Sequence, residues 1–288
     1  MRRSTQTGLV AGVSLLTAIV IVVVVAYGQR TDTVRCPPGT QSSGARCCAE
    51  GQQLRGDDCT GLPTRCPPGT EVVGGLRPGC MATPQEIRLT GGTLRLAPSD
   101  WEAQGVVTTK ELHVGSFTLD SSEVTYERWQ RCAEAGACRR LSWQEPGRPV
   151  VNVTPDEAQT FCRFLGGRLP TSAEWLLAAT GTDVRRYPWG PTGLVCRRAA
   201  FGLAAGPCAV GARGPDLAGF RPDGATPEGV HDLAGNVAEW TIEAEGVYAA
   251  RGGSYLSQVA AELKTWAAEP NHGPAPHIGF RCAYDGSE

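Results

Sequence analysis

Net charge is nearly missing from this chain. At −2 over 288 residues it carries no electrostatic footprint for a nucleic-acid backbone, and nucleic acid is excluded as a partner. Methionine is almost absent, with two residues. No cysteine ends the apolar run near the N-terminus, which excludes lipid attachment there. Nowhere does the sequence read G-x-S-x-G, H-E-x-x-H, a P-loop or a dinucleotide fingerprint, so those signatures of hydrolases, zinc proteases, NTPases and dehydrogenases are excluded. No repeat period accounts for the 37 glycines and 21 prolines. Trp and aliphatic residues run through the whole chain, so the composition reads as a loop-rich globular fold, not a fibre or a disordered tail.

Arg2 and Arg3 precede an uncharged stretch at 8–28, and a single Arg30 follows it. About 20 apolar residues suffice to cross a bilayer core as a helix, and the arginine bias places the N-terminus inside. The stretch exceeds a usual signal-peptide core, and no Ala-x-Ala site follows it. Residues 1–30 are therefore expected to be a cytoplasmic stub and a transmembrane signal-anchor helix, with a long cleaved signal peptide as the alternative. Either way the body lies in a periplasmic or extracellular compartment. The even count of 12 cysteines agrees with an oxidising location.

Residues 34–82 form a cysteine-rich disulfide module carrying Cys36, Cys47, Cys48, Cys59, Cys66 and Cys80. Within it, Arg35-Cys36-Pro37-Pro38-Gly39-Thr40 returns as Arg65-Cys66-Pro67-Pro68-Gly69-Thr70. The stretch has few large apolar residues, so disulfides, at about 2–4 kcal/mol each, must hold it. Six cysteines leave 15 pairings open. The module reads as a spacer lifting the next domain off the membrane, with a small interaction module as the other reading.

From 85 to 286 short strand-like runs alternate with Gly/Pro turns and a few helices. Thr154-Pro155-Asp156-Glu157 combines a capping box with proline at the first helical position. Ala158, Phe161, Cys162 and Leu165 then fall on one apolar stripe, ended by Gly166 and Gly167. Thr171 and Glu174 open a second helix carrying Trp175 and Leu176, and a weaker one follows Thr125 with Trp129 and Cys132, stopping at Gly136. Cys132 and Cys138 bracket the turn after that helix, and Cys196 and Cys208 bracket a Gly/Ala-rich loop. Both pairs read as local disulfides, a relocated thiolate pair at Cys196 and Cys208 being the alternative for the latter.

Eight short motifs then occur in order: Gly91-Gly92-Thr93; Phe117-Thr118-Leu119-Asp120 with Glu123-Val124-Thr125; Pro149-Val150-Val151-Asn152-Val153; Arg168-Leu169-Pro170-Thr171-Ser172-Ala173-Glu174-Trp175; Tyr187-Pro188-Trp189-Gly190; Asp232 through Trp240, reading DLAGNVAEW; Arg251-Gly252-Gly253-Ser254-Tyr255; and Gly279-Phe280-Arg281-Cys282. Over roughly 85–285 this set resembles the formylglycine-generating enzyme, or sulfatase-modifying factor, family. The resemblance implies an α+β fold, a compact variant of the C-type lectin fold. It also implies that Cys162 pairs with Cys282, since lectin-type folds join that helix to the last strand. The family's enzymes oxidise a sulfatase cysteine to formylglycine with oxygen and a copper ion held by two cysteines.

This chain departs from the pattern where that chemistry sits. The copper cysteines would fall at positions 257 and 262, which hold Ser257 and Glu262. Monovalent copper is soft and selects thiolates, and neither a hydroxyl nor a carboxylate can replace them. Copper is therefore not expected and no catalytic residue is assigned. Of the four histidines, His113, His231, His272 and His277, only the last two sit together, in the loop that replaces the copper region, where they read as an exposed pair. The resemblance further implies a structural calcium loop with Asp232, the carbonyls of Gly235 and Val237, and Glu239. The competing expectation is that Glu239 pairs with Arg251 or Arg281. Arg168, Arg251 and Arg281 read as structural donors to buried carbonyls more than as substrate ligands. Asn152-Val153-Thr154 matches a glycosylation sequon, with Thr154 engaged as a helix cap.

The expectation is thus a membrane-anchored, exported, non-catalytic pseudoenzyme domain that binds or scaffolds a protein or peptide. The alternative is a maturation enzyme with an unfamiliar site on the same fold; carbohydrate binding has only fold analogy behind it.

Overall fold

The computed structural model describes residue 36 and residues 39–43, 46–55, 58–66, 70–73, 78–82, 85–98, 104–105, 107–270 and 273–286. The apolar stretch at 8–28 lies outside the described residues. Among the described residues no helix is long and apolar enough to cross a membrane.

The cysteine-rich module is three hairpins. β1 (Thr40–Ser43) pairs with β2 (Arg46–Ala49), β3 (Gln53–Arg55) with β4 (Asp58–Thr60), and β5 (Thr70–Val73) with β6 (Gly79–Ala82), all antiparallel. The disulfides join Cys36 to Cys47, Cys48 to Cys59 and Cys66 to Cys80. The first and third each tie the cysteine of a repeated Cys-Pro-Pro-Gly-Thr run to the second strand of the hairpin after it. The sequence repeat is thus a structural one. Buried Gln52 donates to the carbonyls of Gly61 and Pro78 at 3.0 and 3.3 Å, linking the second and third hairpins. The module does not stand clear as a bare spacer. β6 lies against the 3₁₀ turn Pro222–Gly224, and a Cβ on buried Gly79 would fall 2.9 Å from the Phe220 ring.

The larger domain begins with β7 (Glu86–Leu89), a two-stranded ribbon of β8 (Gly92–Leu96) and β9 (Lys110–Val114), and β10 (Phe117–Asp120). Helices α1 (Tyr126–Glu134), α2 (Pro155–Phe164) and α3 (Ser172–Thr180) follow. After a long loop region come β11 (Ala238–Ala244), β12 (Val247–Arg251), β13 (Ala268–Pro270), β14 (Ile278–Gly279) and β15 (Ala283–Asp285). The final strand returns to the domain's beginning, in an antiparallel sheet ordered β15-β10-β7, while β13-β12-β11-β14 form a second sheet in which only β11 and β14 run parallel.

The helices start where their caps dictate. Thr154 and Thr171 each accept from the backbone three residues on, and Glu157 and Glu174 return the bond. α3 is buried on nearly every side, as expected of a helix threaded through a core. α2 buries Ala158, Phe161 and Cys162, but the expected fourth stripe residue, Leu165, is the C-cap and is 39% exposed. The helix has ended by then, so the helical spacing no longer carries Leu165 inward.

One core cluster centres on Trp129, Phe161, Trp240 and Phe280. Trp129 stacks on Phe161 at 5.6 Å, with Phe280 edge-on to both. Cys162–Cys282 bridges 120 residues beside it, and Cys132–Cys138 and Cys196–Cys208 close local loops. A second cluster surrounds Trp175 and Leu119, and a third, with Tyr187, Phe201, Tyr255 and Leu263, underlies the loops described below.

Two stability outcomes follow from this architecture. Replacing Cys162 and Cys282 together by alanine is expected to cost about 5 kcal/mol, from the long loop the bridge closes, read as a fall in the midpoint of non-reducing denaturant melts. Val184 sits at φ 54°, a left-handed conformation that a β-branched side chain resists. Val184→Asn is expected to raise stability by about 0.5–1 kcal/mol, measured the same way.

Candidate functional site

β12 runs into Arg251-Gly252-Gly253-Ser254-Tyr255, where the chain turns sharply. Gly252 and Gly253 have φ of 95° and 67°. A Cβ on Gly253 would lie 2.5 Å from the Glu262 carbonyl and 3.0 Å from Ser257 Oγ, so only glycine lets the turn and the loop behind it approach this closely. Ser257 is buried, and its hydroxyl accepts from the Ser254 amide at 3.0 Å. Exposed Glu262, within the 3₁₀ turn Ala260–Leu263, accepts from the Gln258 amide at 3.0 Å just before that turn. Both side chains at the copper positions are thus engaged in holding their own loop. All 12 cysteines are in disulfides, Cys196–Cys208 among them, so the oxidised chain presents no thiolate pair.

Among the described residues the histidines join no group that could hold a metal ion. His113 is exposed on β9 and His231 is buried. His277 Nε2 lies 3.4 Å from Glu269 Oε2, and His272 lies outside the described residues.

The Asp232–Glu239 segment enters a buried polar cluster. Arg281 Nε and Nη2 donate to the two Glu239 carboxylate oxygens at 2.7 and 2.6 Å, and Trp175 Nε1 donates to the same group at 2.8 Å. Arg281 also reaches the carbonyls of Asp120 and His231 at 3.1 and 2.7 Å. Of the two arginines expected as partners of Glu239, Arg281 holds it, whereas Arg251 pairs with Glu243 at 2.7 Å. Gly235, at φ 87°, is pressed against Ala200, whose carbonyl would lie 2.5 Å from an added Cβ. Backbone bonds from Gly235 N to Gly252 O, Asn236 N to Ala200 O and Tyr255 N to Asn236 O stitch this segment between its neighbours.

That environment does not fit the expected calcium loop through its Glu239 ligand. Calcium takes hard, unneutralised oxygens, and the Glu239 carboxylate is already neutralised by a fully buried guanidinium. Among the described residues no three His, Cys, Asp or Glu side chains form a group that could hold a metal ion. Asp232 instead accepts from the Gly219 amide, while Asn236 Nδ2 donates to Glu123 Oε1 at 3.0 Å. Burial, joined by the nearby Asp232 charge, raises Glu123 well above the usual carboxylate range. Burial likewise pushes Asp232 up to about 6.

Next to Tyr255 opens a cavity of about 620 Å³, walled by the loops at 142–152 and 212–220 and by Pro276. This volume suits a small ligand or short peptide. Glu145, Arg148, Arg213 and Asp216 supply its charges; Phe220 and Tyr255 supply aromatic surface. Trp143, 76% exposed, lies between two lining residues, Ser142 and Gln144. Apart from Tyr255 and the Val151-Asn152 edge, the walls come from segments without a motif, which is why the sequence did not reveal them.

Residues 76–286 match the family described as the sulfatase-modifying factor enzyme 1-like domain. The formylglycine-generating enzyme of Thermomonospora curvata is 32% identical over 174 residues, 49% of this chain and 56% of that protein. A Bos taurus protein named inactive C-alpha-formylglycine-generating enzyme 2 is 32% identical over 172 residues, 50% of this chain and 56% of its own length. The chain spans about half the length of these curated relatives. Among solved structures, variable protein 1 of Treponema denticola shares the fold with a TM-score of 0.57 at 17% identity, over 76% of this chain and 100% of that one.

The buried cluster generates a pH-dependent outcome. A carboxyl whose folded pKa is raised favours folding below its unfolded value, near 3.8 for Asp232, and that advantage disappears as pH rises through about 6. His231 acts oppositely: burial lowers it from 6.5 to about 4, so acidification across that window favours the unfolded chain. Glu123→Gln removes one buried carboxyl whose folded pKa is raised and leaves His231 in place. It is expected to raise the denaturant midpoint relative to the parent at pH 8 and to change it little near pH 4, checked by melts at both pH values.

Proposed function

The chain belongs to the sulfatase-modifying factor enzyme 1-like family, and on that premise we propose that it is a non-catalytic member, a binding module that receives a peptide or protein partner in the cavity beside Tyr255. One observation carries this reading. At the positions where the family resemblance puts copper-holding sulfurs stand Ser257 and Glu262, each engaged with its own backbone, and every cysteine elsewhere is oxidised. Without a thiolate pair, nothing here matches the soft-donor preference of monovalent copper. The cavity remains as the concave, mixed polar and aromatic surface that ligand sites favour.

In this proposal the module is displayed outside the cytoplasm. Six disulfides suit an oxidising compartment, and the uncharged run at 8–28, of spanning length, supplies the tether. The relative named inactive is a precedent for a protein of this family without the enzyme activity.

The decisive assay incubates the full chain with copper, oxygen and a peptide carrying a sulfatase-type cysteine motif, and looks for the aldehyde by mass spectrometry alongside metal analysis. No aldehyde and no stoichiometric copper are expected. Turnover, or copper that survives gel filtration, would overturn the reading.

A further inference from the structure

The cavity beside Tyr255 has an uneven charge balance. Both of its carboxylates already have arginines. Glu145 accepts from Arg148 Nε at 2.8 Å, and Asp216 accepts from Arg221 Nε at 3.1 Å. Arg148 also donates to the Pro215 carbonyl, clasping one wall to the other. Arg213, on the same wall as Asp216, is exposed and has no ion pair or hydrogen bond among the described residues. One positive charge therefore faces the space uncompensated.

The remaining lining is of two kinds. Phe220 offers aromatic surface, joined by the small part of Tyr255, 5% exposed, that reaches the lining, while Gln144 and Asn152 offer amide donors and acceptors. A bare inorganic anion would leave the aromatic faces unmatched. An interior stretch of neutral peptide would leave the Arg213 charge without a partner. A ligand that satisfies all three features has an anionic end, an apolar side chain close to it and amide groups leading away.

Resting on the reading that this cavity is the binding site, we infer that it receives the C-terminal end of a peptide chain. The terminal carboxylate meets Arg213, the last side chain lies against Phe220 and Tyr255, and the preceding amides pair with Gln144 and Asn152. Exposed Trp143 at the rim extends the apolar surface to the residues before.

The test compares N-acetyl-Gly-Leu-Phe bearing a free carboxylate with the same peptide as its C-terminal amide, titrated calorimetrically into the full chain in non-ionic detergent. The acid is expected to bind about fivefold more tightly, the scale of one solvent-accessible charge pair. Arg213→Gln is expected to abolish that preference and Arg213→Lys to retain most of it. Because Arg213 has no partner among the described residues, neither change is expected to disturb folding, and unchanged thermal melts check this. Equal affinity for acid and amide overturns the chain-end assignment while leaving the cavity as the binding site. Saturable binding by neither peptide also overturns it, and the copper and aldehyde assay then judges the broader reading separately.

Discussion

A guanidinium and a carboxylate, both withdrawn from water, fix how the larger domain closes on itself. Arg281 lies between β14 and β15 and Glu239 lies on β11. Through one side chain, four hydrogen bonds reach β10, the loop before β11 and β11 itself. The contact to Asp120 spans 161 residues of sequence. Removing both charges from water is expensive, and a buried pair is weak evidence for net stability. Its effect is on register. Leaving Arg281 or Glu239 alone inside would strand a charge, so alternative packings of the last strands against the first are strongly disfavoured.

The same pair accounts for the neighbouring loop. With Glu239 committed to Arg281 and Trp175, the turn from Asp232 to Val237 is organised by backbone bonds and by left-handed residues. Asp232 and Asn236 sit at φ 58° and 60°, a conformation their short polar side chains tolerate. Glu123 and Asp232 remain as carboxyl groups buried at 1% and 5% exposure, which is why burial dominates their proton affinity.

Much of the fold was legible in the residues. The caps at Thr154 and Thr171 named two helix starts, and the cysteines bracketing short loops named two local bridges. The family resemblance implied the long bridge between Cys162 and Cys282. Four things were not legible. Leu165 matched helical spacing, but the helix ended before it, and a periodic pattern does not mark its own end. Asp232 through Glu239 read equally as an ion loop or an ion pair, because a carboxylate beside glycine serves both, and only the spatial neighbour Arg281 decides. The cavity is assembled from loops at 142–152 and 212–220 that are distant in sequence and carry no shared periodicity. The seating of the cysteine-rich module was hidden too, since it depends on a glycine facing one aromatic ring.

That seating has a mechanical corollary. One part of the Phe220 ring contacts β6 of the module at Gly79, and the residue also forms a wall of the cavity. Interiors packed this closely transmit displacement instead of absorbing it. Phe220 is therefore shared, so a substitution at Gly79 that moved its ring would reshape an aromatic wall of the cavity from the far side.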